Sequence, residues 1–343
     1  MKVLCSLFAI FLFASASFAQ NKKLNVLFLG NSYTYVNNLP QLIKDIAIAN
    51  GDTLVFDSNC PGGQTFQGHS VDATSISKIN SQAWNHVVLQ AQSQEPSFPP
   101  SQVSSQTLPY AIRLDSVIQN NNACTKTVFY ETWGRKNGDA SNCSFYAPLC
   151  TYIGMQDRLK ASYKLFADTT HAIMSPAGEA WRKSIALNPS LELYSSDQSH
   201  PSLEGSYLTA CVFYEVLFGK SVLTNTYTSG IATGTVSFLQ QIAHDVVNDS
   251  LLTWNIGKYP GVCLSTGLQD LSNDETFVLY PNPADHLLYT NKNYSYKIYD
   301  MLGNLCLTGS KGNAINVENL KKGIYFIELS SSNSSKKIKF VKE

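Results

Sequence analysis

Short apolar strands alternate with helical segments over residues 24–220, and this alternation constrains the fold more than any other feature. Five runs rich in β-branched residues predict strands: Leu24–Leu29, Thr53–Phe56, His86–Leu89, Thr127–Tyr130 and Ala172–Met174. Apolar residues at three- and four-residue intervals predict helices between and after them: Leu39–Ala47, Tyr110–Ile118, Ile153–Phe166 and Ser202–Phe218. Each parallel crossover must return along a face of the sheet. The pattern therefore predicts an α/β fold with a parallel five-stranded sheet covered on both faces.

The character of the sequence changes after about Tyr259. A turn-rich stretch over residues 261–275 predicts a linker. Short alternating segments follow and predict a small β-sandwich: Phe277–Tyr280, Leu287–Tyr289, Tyr294–Tyr299, Gly303–Thr308, Ile315–Val317, Gly323–Leu329 and Lys336–Val341. We therefore expect one domain over residues 20–260 and a second over residues 276–343.

The N-terminus has the pattern of an export signal. Lys2 precedes an apolar run, Val3–Phe13, and small residues follow as far as Ala19, so residues 1–19 are predicted to be a signal peptide cleaved before Gln20. The run is too short for a membrane anchor, which needs about 20 residues. No later stretch is long and apolar enough to span, so we expect a soluble exported protein without a transmembrane segment.

Charge and cysteine content exclude some classes of partner. Lys plus Arg and Asp plus Glu both number 25, and a net charge of zero argues against nucleic acid or an anionic membrane as the main partner. The seven cysteines after the signal contain no C-x-x-C, so no zinc or redox site is expected. Cys143 and Cys150 could close a local disulfide, and Cys211 is expected to be buried.

A serine follows the first predicted strand in Gly30-Asn31-Ser32. Gly30 permits a sharp turn at the carboxyl edge of the sheet, where a hydroxyl and its own N–H can face an open cleft. The alternative is that Ser32 only caps the next helix.

A base for such a serine is available in Asp197-Gln198-Ser199-His200. A serine nucleophile needs a histidine to take its proton, and the histidine needs a carboxylate to fix its tautomer. The alternative is a solvated acidic turn with an exposed histidine.

Two further segments after strands could hold an oxyanion. The Gly62-Gly63 pair could present backbone N–H groups, and one of the three amides of Gln90, Gln92 and Gln94 could supply a side-chain N–H. An ordinary glycine turn is the alternative for the first. After the fourth strand, Trp133 could stack on a sugar and Arg135 could bind a carbonyl, hydroxyl or carboxylate. The alternatives, which the sequence supports equally well, are that Trp133 is buried and that Arg135 forms a surface salt bridge.

In order and placement, these blocks resemble the SGNH (GDSL-like) hydrolases. That family carries Gly-Asp-Ser, a glycine and Gly-x-Asn-Asp after the first three strands, and Asp-x-x-His before the last helix. The resemblance implies a flavodoxin-like α/β/α sandwich, a triad of Ser32, Asp197 and His200, and oxyanion donors at Ser32 and Gly63. No metal or cofactor is implied.

This chain departs from the family pattern in two blocks. Asn31 stands in place of the aspartate of the first block. The asparagine of the third block is missing, and Gln92 and Gln94 stand at the two plausible alignments. We favour Gln92, whose longer side chain can reach from the earlier position.

The C-terminal residues resemble the type IX secretion sorting domain of Bacteroidetes. The resemblance is carried by Tyr280-Pro281-Asn282-Pro283, by Tyr296–Gly303, by Leu320–Ile327 and by the Lys-rich final strand. It implies passage through the periplasm, export by the type IX machinery, and release or attachment at the cell surface. A carbohydrate-binding β module is the alternative.

Together these features predict a secreted serine esterase that removes O-acetyl groups from carbohydrate. A lipid esterase or lysophospholipase is the rival within the enzymes. A catalytically silent glycan-binding module is the rival outside them, because a fold alone does not establish function.

Overall fold

The computed structural model describes residues 21–259, 279–301, 303–330 and 335–343. The predicted signal peptide and the predicted linker lie outside these residues. Contacts divide the chain into two units, residues 1–265 and 266–343, and each is described by itself. No helix among the described residues is long and apolar enough to cross a membrane.

The first unit is built on a parallel sheet of five strands in the order β2-β1-β3-β4-β5. The strands are β1 (Lys23–Leu29), β2 (Thr53–Asn59), β3 (His86–Leu89), β4 (Lys126–Tyr130) and β5 (Ile173–Ser175). The helices are α1 (Ser32–Tyr35), α2 (Leu39–Ala49), α3 (Phe66–Val71), α4 (Ala73–Ile79), α5 (Pro100–Gln106), α6 (Leu108–Asn121), α7 (Tyr152–Thr170), α8 (Ala177–Leu187), α9 (Leu203–Phe218) and α10 (Thr233–Asn248). The predicted α/β fold class is confirmed.

Two separate hydrophobic cores cover the two faces of the sheet. Alternate residues of β1 enter them: Val26 and Phe28 join the core formed with α2, α8, α9 and α10, whereas Leu27 and Leu29 join the core formed with α3, α4, α6 and α7. All four side chains are buried. Because side chains alternate along a strand, a strand covered on both faces must be apolar throughout, which explains the continuous apolar run.

The parallel register brings the ends of the strands to one edge. Leu29 pairs with Asn59 of β2 and with Leu89 of β3, and Leu89 pairs with Phe129 of β4. The segments that follow β1, β2, β3 and β4 therefore leave the sheet side by side. Ligands of open parallel sheets bind at this carboxyl edge.

The second unit contains antiparallel strands, as predicted, but fewer and longer ones. They are β6 (Leu279–Tyr280), β7 (Leu287–Tyr299), β8 (Leu305–Asn316), β9 (Gly323–Ser330) and β10 (Ser335–Lys342). Two predicted strands merge in β7 and two in β8. Register shifts between Tyr289 and Tyr294 and between Tyr294 and Tyr296 let the pairing continue through polar residues that the sequence pattern treats as a turn.

Two of the predictions for cysteine agree with the structure. Cys143 and Cys150 form a disulfide, which closes a loop between β4 and α7. Cys211 is fully buried in α9.

Candidate active site

In the turn after β1, Ser32 does not cap the following helix. Asn31 is the N-cap of α1, because its Oδ1 accepts the N–H of Tyr33 at 3.1 Å. The alternative in which Ser32 caps the helix is therefore wrong. A Cβ atom at position 30 would lie 2.4 Å from Thr34 Oγ1, so the close packing of Gly30 against Thr34 requires glycine.

Ser32, His200 and Asp197 form a continuous chain of side-chain hydrogen bonds. His200 Nε2 lies 2.8 Å from Ser32 Oγ, and His200 Nδ1 is hydrogen-bonded to Asp197 Oδ2. A carboxylate only accepts, so Nδ1 carries the proton and Nε2 is free to accept the hydroxyl proton of Ser32. This is the geometry that a general base requires.

Asp197 is held as a carboxylate by the loop to which it belongs. Its Oδ1 accepts the backbone N–H groups of Ser199 at 3.0 Å and His200 at 2.9 Å. Partial burial raises the pKa of Asp197, but the hydrogen bonds from the His200 side chain and from these N–H groups outweigh it and lower the pKa below the ordinary value.

The loop at residues 195–201, here named the acid–base loop, rests on a stack of aromatic rings. Trp133 lies between Trp181, at 3.7 Å between ring centroids, and Tyr33, at 5.0 Å, and is completely buried. Its Nε1 donates to Ser199 O at 3.0 Å, and Tyr33 Oη lies 2.6 Å from Ser199 Oγ. The prediction that Trp133 stacks on a sugar is corrected, because both of its faces are covered by protein.

Arg135 is paired with a buried carboxylate. Its Nη1 lies 3.2 Å from Oδ1 of Asp139, whose side chain is fully buried. Asp139 also accepts the side-chain amides of Gln94, at 2.6 Å, and Asn142, at 2.7 Å. The ion pair therefore braces the loop after β4 and is not a simple surface pair. A role for Arg135 in binding substrate stays a prediction.

Asn31 joins the three segments that hold the predicted oxyanion donors. Its Nδ2 donates to Gln64 O at 3.0 Å and to Ala91 O at 3.3 Å, next to Gly63 and Gln92 in the chain. Gly63 has a φ of +69°, which favours glycine. Among the described residues, none accepts a hydrogen bond from the backbone N–H of Ser32 or of Gly63.

The two candidate glutamines are hydrogen-bonded to each other. Gln92 Nε2 donates to Gln94 Oε1 at 3.1 Å, and Gln92 Oε1 accepts the backbone N–H groups of Gln94 at 2.7 Å and Glu95 at 3.2 Å. The amide of Gln94 donates to Asp139 in the loop after β4. Gln92 directly follows Ala91, which contacts the turn at residues 30–34, here named the nucleophile turn.

Gln90 is one of the three amides expected as oxyanion donors, but it is fully buried and its Nε2 donates to Ala91 O. The sequence pattern gives no role to Tyr33. Gln90 Oε1 accepts Asn31 N at 2.8 Å and Thr34 Oγ1 at 3.0 Å, and so fixes the nucleophile turn from β3. Tyr33 links that turn to the acid–base loop. Tyr33 directly follows Ser32, and Gln90 lies two residues before Gln92. This position next to a motif was the only sequence signal for a supporting role.

Comparison with known proteins gives a family match for the second unit. Residues 278–343 match the model of the secretion system C-terminal sorting domain. The chain ends in a type IX sorting domain. This domain indicates export, to the medium or to the cell surface. No curated protein matches the sequence.

Solved structures resemble the first unit. A DUF4886 family protein from Bacteroides uniformis has a TM-score of 0.56 at 19% identity, with 67% of this chain and 95% of that chain covered. A protein from Slackia heliotrinireducens assigned as an SGNH hydrolase has a TM-score of 0.47 at 23% identity, covering 56% and 98%. An acetylxylan esterase variant from Geobacillus stearothermophilus has 0.42 at 13%, covering 59% and 97%. The first of these structures shares the α/β fold of the first unit.

Proposed function

We propose that the protein is an exported serine esterase with Ser32 as nucleophile, His200 as general base and Asp197 as the residue that orients it. The observation that carries this proposal is the hydrogen-bond chain from Ser32 Oγ through both ring nitrogens of His200 to Asp197. It lies at the carboxyl edge of a parallel sheet, where substrates of such folds bind.

The reaction proceeds through an acyl-enzyme. His200 Nε2 takes the proton of Ser32 as Oγ attacks the ester carbonyl, and Asp197 stabilises the imidazolium that forms. His200 then gives this proton to the leaving alcohol. Water attacks the acyl-enzyme in a second step, with His200 again as base, and the acid is released.

Backbone and side-chain N–H groups stabilise the negative charge on the carbonyl oxygen. The N–H groups of Ser32 and Gly63 are available, because no described residue accepts from them. We assign the third donor to Gln92, because Ala91 beside it contacts Asn31. Gln94 supports Gln92 through its Oε1. Donors placed in advance toward a developing oxyanion are each worth about 10²- to 10³-fold in rate.

We propose an O-acetylated glycan as the substrate. Trp133 is buried, but Tyr35 lies one helical turn after Ser32 with 53% of its surface exposed. Its hydroxyl lies 3.9 Å from the position that a methyl group on Gly62 would occupy, so the ring borders the glycine turn. An exposed ring with an apolar face and a polar hydroxyl fits a sugar ring. The zero net charge fits a neutral polymer.

The test compares Ser32→Ala with the wild-type protein on p-nitrophenyl acetate and on O-acetylated xylan and mannan oligosaccharides. We expect hydrolysis to fall by about 10⁴-fold or more in the variant. Undiminished activity would contradict the assignment of Ser32. A preference for long-chain esters would favour a lipid esterase, and glycan binding without hydrolysis by the wild-type protein would favour a silent binding module.

Tyr35→Ala tests the substrate class separately. Because p-nitrophenyl acetate has no sugar ring, we expect its kcat/KM to change by less than about twofold. We expect kcat/KM for the acetylated oligosaccharide to fall by about tenfold, as one lost apolar contact typically costs 1–3 kcal/mol. Equal changes for both substrates would contradict the contact with the sugar.

A further inference from the structure

A fully buried histidine lies behind the nucleophile turn and takes no part in the proton transfer described above. His69 belongs to α3 and is 0% exposed. Both of its ring nitrogens have a partner: Nε2 lies 2.8 Å from Gly30 O, and Nδ1 lies 2.8 Å from Ser75 Oγ. The contact with Gly30 is two residues from Ser32.

The partners of His69 determine where its proton lies. A carbonyl oxygen only accepts, so Nε2 carries a proton and donates it to Gly30 O. Burial lowers the pKa of His69, although the Gly30 carbonyl and Asp72 favour the charged ring. The lowered pKa favours the neutral ring at neutral pH. Ser75 Oγ lies 2.8 Å from Nδ1 and donates its single proton to Asp72 Oδ2 at 2.9 Å, so Asp72 fixes the hydroxyl that contacts the ring.

The peptide unit that leads into the nucleophile turn is held from both sides. Gly30 N donates to Asn59 O at 3.2 Å, and Gly30 O accepts from His69. In the Gly30–Asn31 peptide, the carbonyl faces His69 and the N–H of Asn31 donates to Gln90 Oε1 at 2.8 Å. Rotation of the Gly30–Asn31 peptide would break the last two bonds together, and an unpaired buried group costs about 1–3 kcal/mol.

The same histidine connects this turn to the segment that carries the second oxyanion donor. The helix α3 begins after Thr65, whose Oγ1 accepts Gly68 N at 2.9 Å, and Gly63 lies two residues before that cap. His69 therefore joins the helix that follows Gly63 to the backbone that precedes Ser32. Among the described residues, a second side-chain bond joins these two segments, from Asn31 Nδ2 to Gln64 O.

We propose that His69 is a positioning residue that sets the separation and direction of the two backbone oxyanion donors, Ser32 N–H and Gly63 N–H. This inference rests on the proposed function. His69 does not contact the substrate or the reacting atoms. It acts through the carbonyl of Gly30, and Ser75 and Asp72 keep its ring in the donating orientation.

A pair of amide substitutions tests this role. In His69→Gln the amide nitrogen can reach the place of Nε2 and donate to Gly30 O, whereas the shorter side chain in His69→Asn reaches only the place of Nδ1. We expect His69→Asn to lower kcat for p-nitrophenyl acetate by about 10²-fold, because misplaced donors weaken binding of the transition state. We expect KM to change by less than about twofold, and His69→Gln to retain kcat within about tenfold.

Two further measurements separate this role from simple loss of structure and from failure of the proposed function. Thermal unfolding should show a cooperative transition for both variants, with the lower midpoint in His69→Asn, because only His69→Gln keeps a donor for Gly30 O. The backbone amide NMR signals of Ser32 and Gly63 should shift in His69→Asn and stay near the wild-type positions in His69→Gln, whether or not the protein hydrolyses an ester.

The outcomes are distinct. A wild-type protein without esterase activity would refute the proposed function, and the amide signals would then decide on His69. Unshifted signals in His69→Asn would overturn the positioning role. So would a 10²-fold loss of kcat in a well-folded His69→Gln, or an effect carried by KM alone.

Discussion

The nucleophile turn and the acid–base loop meet at two hydrogen bonds, Ser32–His200 and Tyr33–Ser199, but are held in place by different means. The turn at residues 30–34 is fixed by buried polar groups from β2, β3 and α3. The loop at residues 195–201 is half-exposed and rests on the aromatic stack that Trp133 forms with its neighbours. The side chain of Asp197 is 48% exposed, whereas Asn31 is buried.

This difference indicates a division of labour. Backbone N–H donors must be fixed to fractions of an ångström, and buried, fully paired polar groups supply that precision. The base must move a proton and change its charge, and access to water lowers the cost of the imidazolium that forms. We therefore expect substitutions in the turn to affect stability and rate together, and substitutions in the loop to affect mainly rate.

The largest effect is expected in the loop, from Asp197→Asn. The amide oxygen is expected at the place of Oδ1, which accepts two backbone N–H groups, so the NH2 faces His200 Nδ1 and donates to it. The wrong tautomer then forms, and kcat should fall by about 10³- to 10⁴-fold. Steady-state hydrolysis of p-nitrophenyl acetate measures this. A fall of less than about tenfold would mean that solvent replaces the exposed carboxylate.

The pH dependence of stability supplies a control for the same variant. The folded-state pKa of Asp197 is lowered, so its stabilising contribution is fully present above the unfolded value near 4 and is lost as pH falls through the lower folded value. The difference in unfolding temperature between wild type and Asp197→Asn should therefore be constant from pH 8 to 5 and shrink below about pH 4. A difference that disappears already between pH 7 and 5 would contradict a lowered pKa.

An intermediate effect is expected from the glutamines at the border of the turn. Gln92→Ala should lower kcat by about 10²-fold, the typical value for one oxyanion donor. Gln94→Ala should have a smaller effect, about tenfold, because it removes the support of Gln92 and leaves Asp139 without one of its partners. The reverse order would assign the donor role to Gln94.

The smallest effects come from two substitutions in the turn, one at its buried bonds and one at its bond to the acid–base loop. Asn31→Asp removes the donor to Gln64 O and Ala91 O and should reduce the free energy of unfolding by about 1–3 kcal/mol and kcat by about tenfold. Tyr33→Phe removes the bond to Ser199 but keeps the ring stack, and should lower kcat by less than about fivefold with a stability loss near 1 kcal/mol. Chemical denaturation and kcat measure both. Equal stability losses would contradict the division described above.

The strands and their common edge could be predicted because their signals are local and strong. A strand buried on both faces is a continuous apolar run, as in His86–Leu89, whose predicted bounds agree with β3. The long β7 could not be predicted in one piece, because register shifts carry it through polar residues and depend on its partner strands.

The sequence predicts the residues of the candidate triad but not the residues that hold them in place. Ser32, Asp197 and His200 have the spacing that their chemistry demands, and the structure brings the three side chains together. The burial of Trp133 depends on rings from Tyr33 and Trp181, which are distant in sequence from it. Sequence position alone does not distinguish such a residue from one that faces the cleft. The role of His69 could not be predicted either, because its partner Gly30 is distant in sequence and contributes a backbone carbonyl, which leaves no sequence signal.

The central claim is that Ser32 is a nucleophile activated by His200. The most direct measurement is labelling with a fluorophosphonate probe, followed by mass spectrometry of the intact protein and of its peptides. We predict one adduct in the wild-type protein, at Ser32, no adduct in Ser32→Ala, and labelling slowed by at least about 10²-fold in His200→Ala. A folded wild-type protein that is not labelled, or an adduct that persists in Ser32→Ala, would contradict the claim.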